Sequence, residues 1–235
     1  MLKYKKILIK LSGESLSNEK NILNEENINE VIKTIKELVK LNVSIAIVVG
    51  AGNIWRGSNN LLIKNKITSD YVGMMATFIN ALILQEKIKE EITNDCYVMS
   101  KINCSLSKQY SQNKAISYFN NKKIIIFAGG TGNPLFTTDT AASLFAIEIG
   151  AEAIFMSKNN INGVYDCDPN KFKNAKFIKE ITFDGAIQKK LRVMDLTALT
   201  LLNDWQKINM HVFSLKKDNF IKTIQGKNVG TFLHK

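Results

Sequence analysis

The chain has 235 residues, 45% of them hydrophobic and 23% charged, which is enough length for a sizeable core and is the composition of a globular protein. Its net charge of +11 rests on lysines spread along the chain without a dense cluster, so the charge predicts a weak attraction to anionic substrates and not a nucleic-acid interface. No apolar run long enough to cross a bilayer and no secretory leader is predicted, and the cytoplasm is the expected location.

Apolar, β-rich segments alternate with amphipathic segments along the chain. The predicted elements are, in order, a strand over 4–11, a helix over 25–41, a strand over 43–49, a helix from an Asp70 N-cap to about 91, strands over 97–100 and 123–128, a helix over 140–149 and a strand over 153–156. Residues 102–121 carry no clear pattern. No repeat or linker divides the chain, so one domain over residues 1–235 is predicted. Continuous apolar strands alternating with helices predict an α/β fold with a mainly parallel sheet covered on both faces.

Cysteine and histidine are too few and too scattered for a metal or disulfide framework. Cys96, Cys104 and Cys167 are odd in number and lack metal-site spacing, so three reduced thiols are expected. His211 and His234 are predicted to be a strand residue and a terminal residue. The sequence therefore does not favour a histidine-based catalytic triad or a zinc site.

Two glycine-containing turns follow the first two predicted strands, where ligands bind in folds of this kind. Lys10 ends the first strand just before Ser12 and Gly13, and an ammonium group beside free backbone N–H groups suits phosphate oxygens. Arg56 follows the second turn, whose sequence is Gly50-Ala51-Gly52, and its guanidinium offers a bidentate fork to an anion. The alternative interpretation of these residues is a surface lysine and an ordinary turn with a solvated arginine.

Two further polar loops follow later strands. Residues 130–139 combine glycines, hydroxyls, an amide and the carboxylate of Asp139; Thr138 and Asp139 suit helix caps, but capping explains one residue and not ten. Residues 158–169 contain Tyr165 and Asp168, which suit a purine and a ribose, and an Asn/Gly/Asp-Pro turn is the alternative.

Several motifs are missing. The chain has no G-x-x-x-x-G-K-[ST] loop, no dinucleotide fingerprint and no protein-kinase motif set, and its glycine loops offer no general base. A phosphate or carboxylate acceptor is already ionised near neutral pH. Transfer to such an acceptor needs positioning and charge neutralisation and no deprotonation.

Six segments together resemble the bacterial uridylate kinases of the amino-acid kinase superfamily. They are YKKILIKLSGESL at 4–16, VVGAGNIWRG at 48–57, SDYVGMMATFINALILQ at 69–85, GTGNPLFTTDTAA at 130–142, KNNINGVYDCDP at 158–169 and LRVMDLTA at 191–198. The resemblance implies a three-layer α/β/α sandwich, a homohexamer, and reversible, Mg²⁺-dependent transfer of the ATP γ-phosphoryl group to UMP in pyrimidine nucleotide synthesis. It places Ala51 where the family has the middle glycine of a triplet, which crowds the acceptor phosphate slightly.

The resemblance also implies roles for individual residues. Lys10, Arg56 and Asp139 would be catalytic, with Asp139 orienting Lys10. The residues implied to bind ATP are Lys10, Leu11, Ser12, Gly13, Gly52, Arg56, Asn159, Tyr165 and Asp168. Those implied to bind UMP are Ala51, Asp70, Thr131, Gly132, Asn133, Pro134, Leu135, Phe136, Thr137 and Thr138. Magnesium is expected between phosphate oxygens, without a cage of protein ligands.

Two alternatives remain at this point. Another member of the superfamily would make an acyl phosphate on a carboxylate, and the start of the helix at Asp70 and the GNPLFTTD loop argue against it. A basic RNA- or DNA-binding regulator on the same fold would show a steep dependence of binding on salt.

Overall fold

The computed structural model describes residues 2–57, 62–158, 162–169, 171–172 and 174–235. Its helices are α1 (Glu25–Lys40), α2 (Lys66–Glu91), α3 (Gln112–Asn120), α4 (Thr138–Ile149), α5 (Phe183–Gln188), α6 (Leu196–Trp205) and α7 (Lys217–Ile224). Its strands are β1 (Lys6–Leu11), β2 (Ser44–Val49), β3 (Cys96–Ser100), β4 (Lys108–Gln109), β5 (Ile124–Phe127), β6 (Ala153–Lys158), β7 (Val164–Tyr165), β8 (Phe177–Ile178), β9 (Glu180–Thr182), β10 (Asn209–Ser214) and β11 (Thr231–His234). A short 3₁₀ turn covers Gly13–Leu16.

The central sheet has the strand order β4-β3-β5-β2-β1-β6-β10-β11-β9. Its neighbouring strands run parallel except β10 and β11, and β7 pairs with β8 in a separate antiparallel ladder. Since β5, β2, β1 and β6 are parallel neighbours, their carboxyl ends meet at one edge of the sheet. The loops that leave these strands are therefore brought together.

Helices cover both faces of the sheet. In β1, Ile7 and Ile9 point to the core beneath α1, α2 and α7, while Leu8 points to the core beneath α3, α4, α5 and α6. This alternation follows from the two-residue period of a strand, and the apolar runs of β1 and β2 are buried on both faces. The predicted α/β/α sandwich with a mainly parallel sheet is confirmed.

Two predicted helix starts were wrong. Helix α2 begins four residues before Asp70, because the Asn65 side chain accepts a hydrogen bond from the Thr68 N–H at 3.1 Å and caps it. Helix α4 is capped by Thr137, whose hydroxyl accepts from the N–H groups of Asp139 and Thr140. The unassigned segment 102–121 folds into β4 and α3.

Helix α2 also corrects the expectation that no apolar run is long enough to cross a membrane. It has 26 residues and a mean hydropathy of 1.4 over an 18-residue window, so by length and composition alone it is a candidate span. Of that window, 44% is buried, and side chains such as Phe78, Leu84 and Ile88 pack in the core. One such helix is weak evidence for a membrane protein, since a core helix passes the same test.

The cysteines and histidines agree with the sequence-based expectations. Cys96, Cys104 and Cys167 are free thiols, and burial raises the pKa of Cys96 to about 12. His211 lies in β10 and His234 ends β11.

Candidate active site

A cavity of about 560 Å³ opens where the loops after β1, β2 and β5 meet helix α2. The described residues that line it come from these three loops, from α2 and from the start of α4: Glu14, Ala51, Gly52, Trp55, Arg56, Gly57, Ser69, Asp70, Gly73, Met74, Thr77, Gly130, Phe136, Thr137, Thr138 and Asp139. Its volume is in the range of small-molecule sites.

An ion pair lies at one side of the cavity. Lys10 Nζ is 2.6 Å from Asp139 Oδ1, with 13% and 20% of the two side chains exposed. The strand period sends Lys10 to the same face of the sheet as Leu8, which α4 covers. Asp139 lies in the first turn of α4, and the Thr137 cap fixes its backbone. The pair therefore joins β1 to the start of α4.

The turn after β1 packs directly on the turn after β2. A Cβ atom on Gly13 would lie 2.6 Å from Gly52 N and 2.9 Å from the Ala51 carbonyl carbon. Gly50 N–H donates to Leu11 O at 2.9 Å, and the Leu11 side chain is in the core. Glycine at position 13 is thus required by close backbone approach.

The side-chain amides of Asn80 and Asn53 fix the turn after β2 by hydrogen bonds. Asn80, fully buried on α2, donates to Gly50 O at 2.8 Å and to Asn53 Oδ1 at 2.9 Å. Asn53 donates in return to Asn80 Oδ1 at 3.1 Å and to Ile22 O at 2.9 Å. All four amide N–H groups are used, so the glycine turn is fixed to α2.

Arg56 lies at the open side of the cavity and contacts both turns. Its Nε donates to Gly52 O at 3.2 Å, and its Nη2 forms an ion pair with Glu14. Glu14 was not among the predicted site residues, although it follows Gly13 directly. The pair places a carboxylate on the guanidinium that was predicted to bind phosphate.

The loop after β5 is anchored to α2 through Asp70. Asp70 Oδ2 accepts a hydrogen bond from the Leu135 N–H at 2.9 Å, and Leu135 has φ 72°. A positive φ at a leucine is strained and needs such an anchor. Phe136 follows, half exposed, and lines the cavity.

Asp195 was also missed. Its carboxylate caps α6 by accepting from the Ala198 N–H at 3.0 Å, and it accepts hydrogen bonds from the hydroxyls of Thr137 and Thr140. The start of α6 is thereby joined to the start of α4. The segment 191–198 had been matched to the family, but nothing in it indicated this partner.

The structure brings part of the predicted set together. The members that line the cavity are Ala51, Gly52, Arg56, Asp70, Phe136, Thr137, Thr138 and Asp139, and Lys10 reaches it through Asp139. The members that do not line it are Leu11, Ser12, Gly13, Thr131, Gly132, Asn133, Pro134, Leu135, Tyr165 and Asp168. Asn159 lies outside the described residues.

The members outside the cavity wall have local contacts. The Ser12 hydroxyl is 2.9 Å from that of Ser15, and the Thr131 hydroxyl bonds to the Asn133 backbone. Tyr165 packs edge-on against Phe177 with ring centres 5.3 Å apart. The backbone carbonyl of Asp168 accepts hydrogen bonds from the N–H groups of Lys171 and Phe172.

Comparison with known proteins identifies relatives over nearly the whole chain. Residues 5–214 match the model of the amino acid kinase family. A uridylate kinase of Mycoplasmopsis synoviae (strain 53) is 47% identical over 235 residues, covering 97% of each chain. The crystal structure of UMP kinase from Bacillus anthracis superimposes with a TM-score of 0.94 at 31% identity and covers 98% of this chain and 96% of that one. The crystal structure of UMP kinase from Ureaplasma parvum superimposes with a TM-score of 0.90 at 36% identity and covers 100% of this chain and 100% of that one.

Proposed function

The chain belongs to the amino acid kinase family, among its uridylate kinases, and we propose that its cavity transfers the γ-phosphoryl group of ATP to UMP, giving UDP and ADP. The observation that carries this function is the meeting of Lys10, Arg56 and the glycine turn at one cavity beyond the strand ends. Such an edge of a parallel sheet is where ligands bind in α/β folds.

The proposed chemistry is positioning and charge neutralisation. Lys10 and Arg56 stabilise the charge on the transferring phosphoryl group, Gly52 supplies a backbone N–H, and Asp139 orients Lys10. None of the described residues that line the cavity is a histidine. A nucleotide phosphate is ionised already, so a base is not needed to activate it.

Magnesium fits this donor set as a partner of the phosphates. Among the described residues that line the cavity, taken together with Lys10, two cationic side chains face the three carboxylates of Glu14, Asp70 and Asp139, so these side chains alone do not neutralise two nucleotides. The described residues contain no group of three or more His, Cys, Asp or Glu that suits a metal ion. Mg²⁺ bound between phosphate oxygens would supply the missing positive charge.

We place UMP against Ala51, Asp70 and the loop from Thr131 to Thr138, with the Asp70 carboxylate near the ribose. The cavity is lined by Ala51, Asp70 and Phe136, which supports this side of the proposal. The adenosine of ATP is placed near Asn159, Tyr165 and Asp168. Strand β6, which leads to that segment, pairs with β1 so that Met156 lies opposite Lys10.

A homo-oligomer, and specifically the hexamer of the family, is also proposed. Four apolar side chains spaced by four residues share one face of α2 and are each about half exposed: Ile67, Tyr71, Met75 and Ile79. A contiguous apolar stripe on a soluble protein marks an interface, and a second copy of α2 offers a matching stripe. Met75→Glu should lower the sedimentation coefficient relative to the parent protein, whereas Lys87→Glu, which lies outside the stripe, should not. Equal sedimentation coefficients for the parent, Met75→Glu and Lys87→Glu proteins would contradict the proposal.

The remaining proposals concern organisation and location. We propose one domain, because the central sheet takes strands from Lys6 to His234. We also propose that the enzyme is cytoplasmic. The apolar residues of α2 are explained by its buried side and by the proposed interface stripe, so they do not require a membrane.

A coupled assay tests the function. Turnover with ATP and Mg²⁺ is measured for UMP, CMP, dUMP, AMP and two carboxylate acceptors, carbamate and acetylglutamate. We expect UMP to give the highest kcat/KM, and Lys10→Met to remove turnover while Lys87→Met retains it. A carboxylate as the best acceptor would assign the chain to acyl phosphate synthesis instead.

A further inference from the structure

We propose that Glu14 is a positioning residue that occupies Arg56 in the free enzyme and is displaced from it by a substrate phosphate. This exchange rests on the proposed phosphate-binding role of Arg56. Glu14 would then hold the guanidinium at the cavity mouth and make occupation of Arg56 conditional on a well-placed anion.

The geometry of the two loops supports this exchange. Glu14 and Arg56 both line the cavity, and both come close to Gly52, where a Cβ atom would be 3.6 Å from Glu14 Oε1 and 3.8 Å from Arg56 Nε. Arg56 Nε is fixed on Gly52 O, while Nη2 contacts Glu14. The guanidinium can thus keep its contact with the glycine turn while it changes its carboxylate for a phosphate.

The ion pair between Arg56 and Glu14 is exposed to solvent and is therefore easily broken. The Arg56 and Glu14 side chains are 51% and 45% exposed, in contrast to 13% and 20% for Lys10 and Asp139. Exposed ion pairs are weak, whereas guanidinium and phosphate form charge-assisted, bidentate hydrogen bonds. A phosphate in the cavity is therefore the stronger partner of Arg56. Breaking the ion pair with Glu14 adds a small free-energy cost to phosphate binding.

The phosphate of UMP accepts the transferring phosphoryl group and would therefore lie next to Arg56, so the binding of UMP measures that cost. The chain has two tryptophans, Trp55 and Trp205, and Trp55 lines the cavity, so a Trp205→Phe protein reports UMP binding through Trp55 fluorescence. In this background we expect Glu14→Gln to tighten UMP binding by about two- to fivefold, the worth of an exposed pair. The matched control is Glu37→Gln, which removes a carboxylate paired with Lys40 on α1 and should leave the affinity unchanged.

The state of Arg56 is observed directly by NMR. Arg56 and Arg192 are the only arginines, so arginine labelled in its guanidinium group gives two sets of signals, with Arg192 as the internal reference. Glu14→Gln should shift the Arg56 signal of the free enzyme. With UMP bound, the signals of the Glu14→Gln and parent proteins should coincide, because Arg56 no longer contacts residue 14.

The outcomes separate this inference from the proposed function. If the parent protein turns over UMP but Glu14→Gln leaves its affinity unchanged or weaker, or the two bound spectra differ as much as the free ones, the exchange is wrong. If Arg56→Lys also leaves UMP affinity and turnover at the parent level, the phosphate-binding role of Arg56 is wrong. A merely structural role of Glu14 would loosen binding, which is opposite to the expected result.

Discussion

Lys10 and Asp139, 129 positions apart, form an ion pair of 2.6 Å that is largely shielded from water. Asp139 is the acidic residue of the first turn of α4, and Lys10 is the penultimate residue of β1. The contact fixes the lysine ammonium at the side of the cavity. It gives a physical basis for the proposed orienting role of Asp139.

Replacing Asp139 by asparagine tests that role. The amide retains a hydrogen-bond acceptor and loses the charge, so Lys10 is held less firmly, and we expect kcat/KM to fall by about one to two orders of magnitude, equivalent to about 1.5–3 kcal/mol. The matched control is Asp184→Asn, at the acidic first-turn position of α5. An Asp139→Asn enzyme as active as the control would contradict the orienting role.

Arg56→Lys tests whether phosphate binding depends on the guanidinium and not on charge alone. Lysine keeps the positive charge but lacks the planar fork, so one of two phosphate hydrogen bonds loses its donor. We expect kcat/KM to fall by about one to two orders of magnitude, from roughly 1.5–3 kcal/mol. Arg192→Lys is the control, and full activity of Arg56→Lys would mean that phosphate binding does not depend on the guanidinium of Arg56.

Gly13→Ala tests the packing of the two turns. The added methyl group meets backbone atoms of Gly52 and Ala51 at 2.6 and 2.9 Å, so the turns must separate. We expect a loss of about 1–3 kcal/mol in unfolding free energy and at least a tenfold loss of kcat/KM. Gly150→Ala, at φ 68° with no atom within 4 Å, should cost about 1 kcal/mol of stability through strain and retain activity. Equal activity of the two variants would show that the turns tolerate separation.

The sequence indicated the fold and the cavity edge because both depend on local pattern. Apolar strands ending in glycine predicted that Lys10, Gly52 and Arg56 lie close to the carboxyl ends of β1 and β2, and in the structure Lys10 is the penultimate residue of β1 while Gly52 and Arg56 line the cavity. The sequence did not indicate Glu14, Asn80 and Asp195 as site residues, because their contacts are made with partners 42, 30 and 58 positions away. Their side chains fit many surface positions equally well, so only tertiary packing distinguishes them.

Helix starts illustrate the same limit. Asp70 is a good N-cap by residue type, but Asn65 is another, and local preference does not choose between them. The choice of Asn65 leaves the Asp70 carboxylate free to anchor the Leu135 N–H. That contact joins segments 65 positions apart and cannot be read from a pattern of neighbours.

His211 predicts how stability depends on pH. The residue is 1% exposed, its Nε2 is 2.9 Å from the Tyr4 hydroxyl, and its ring packs against Phe155 and Phe232. Burial, with a contribution from the charge of Lys3, lowers the pKa of His211 from 6.5 to about 3. Between these values the unfolded chain binds a proton that the folded chain does not bind, so stability is complete above pH 6.5 and is lost as the pH falls.

At pH 5.5 this one histidine should cost about 1.4 kcal/mol of unfolding free energy relative to high pH. Urea unfolding at pH 7.5 and 5.5, at one protein concentration, measures the loss for the parent and for His211→Gln, which retains a polar partner for Tyr4. We expect the loss to be smaller in His211→Gln by about 1.4 kcal/mol. His234→Gln is the control, because it removes the partly exposed histidine near the chain end and should retain the part of the loss that His211 causes. Equal losses in the parent and His211→Gln would mean that His211 is protonated in the folded protein at pH 5.5, and that its burial is not what destabilises the fold in acid.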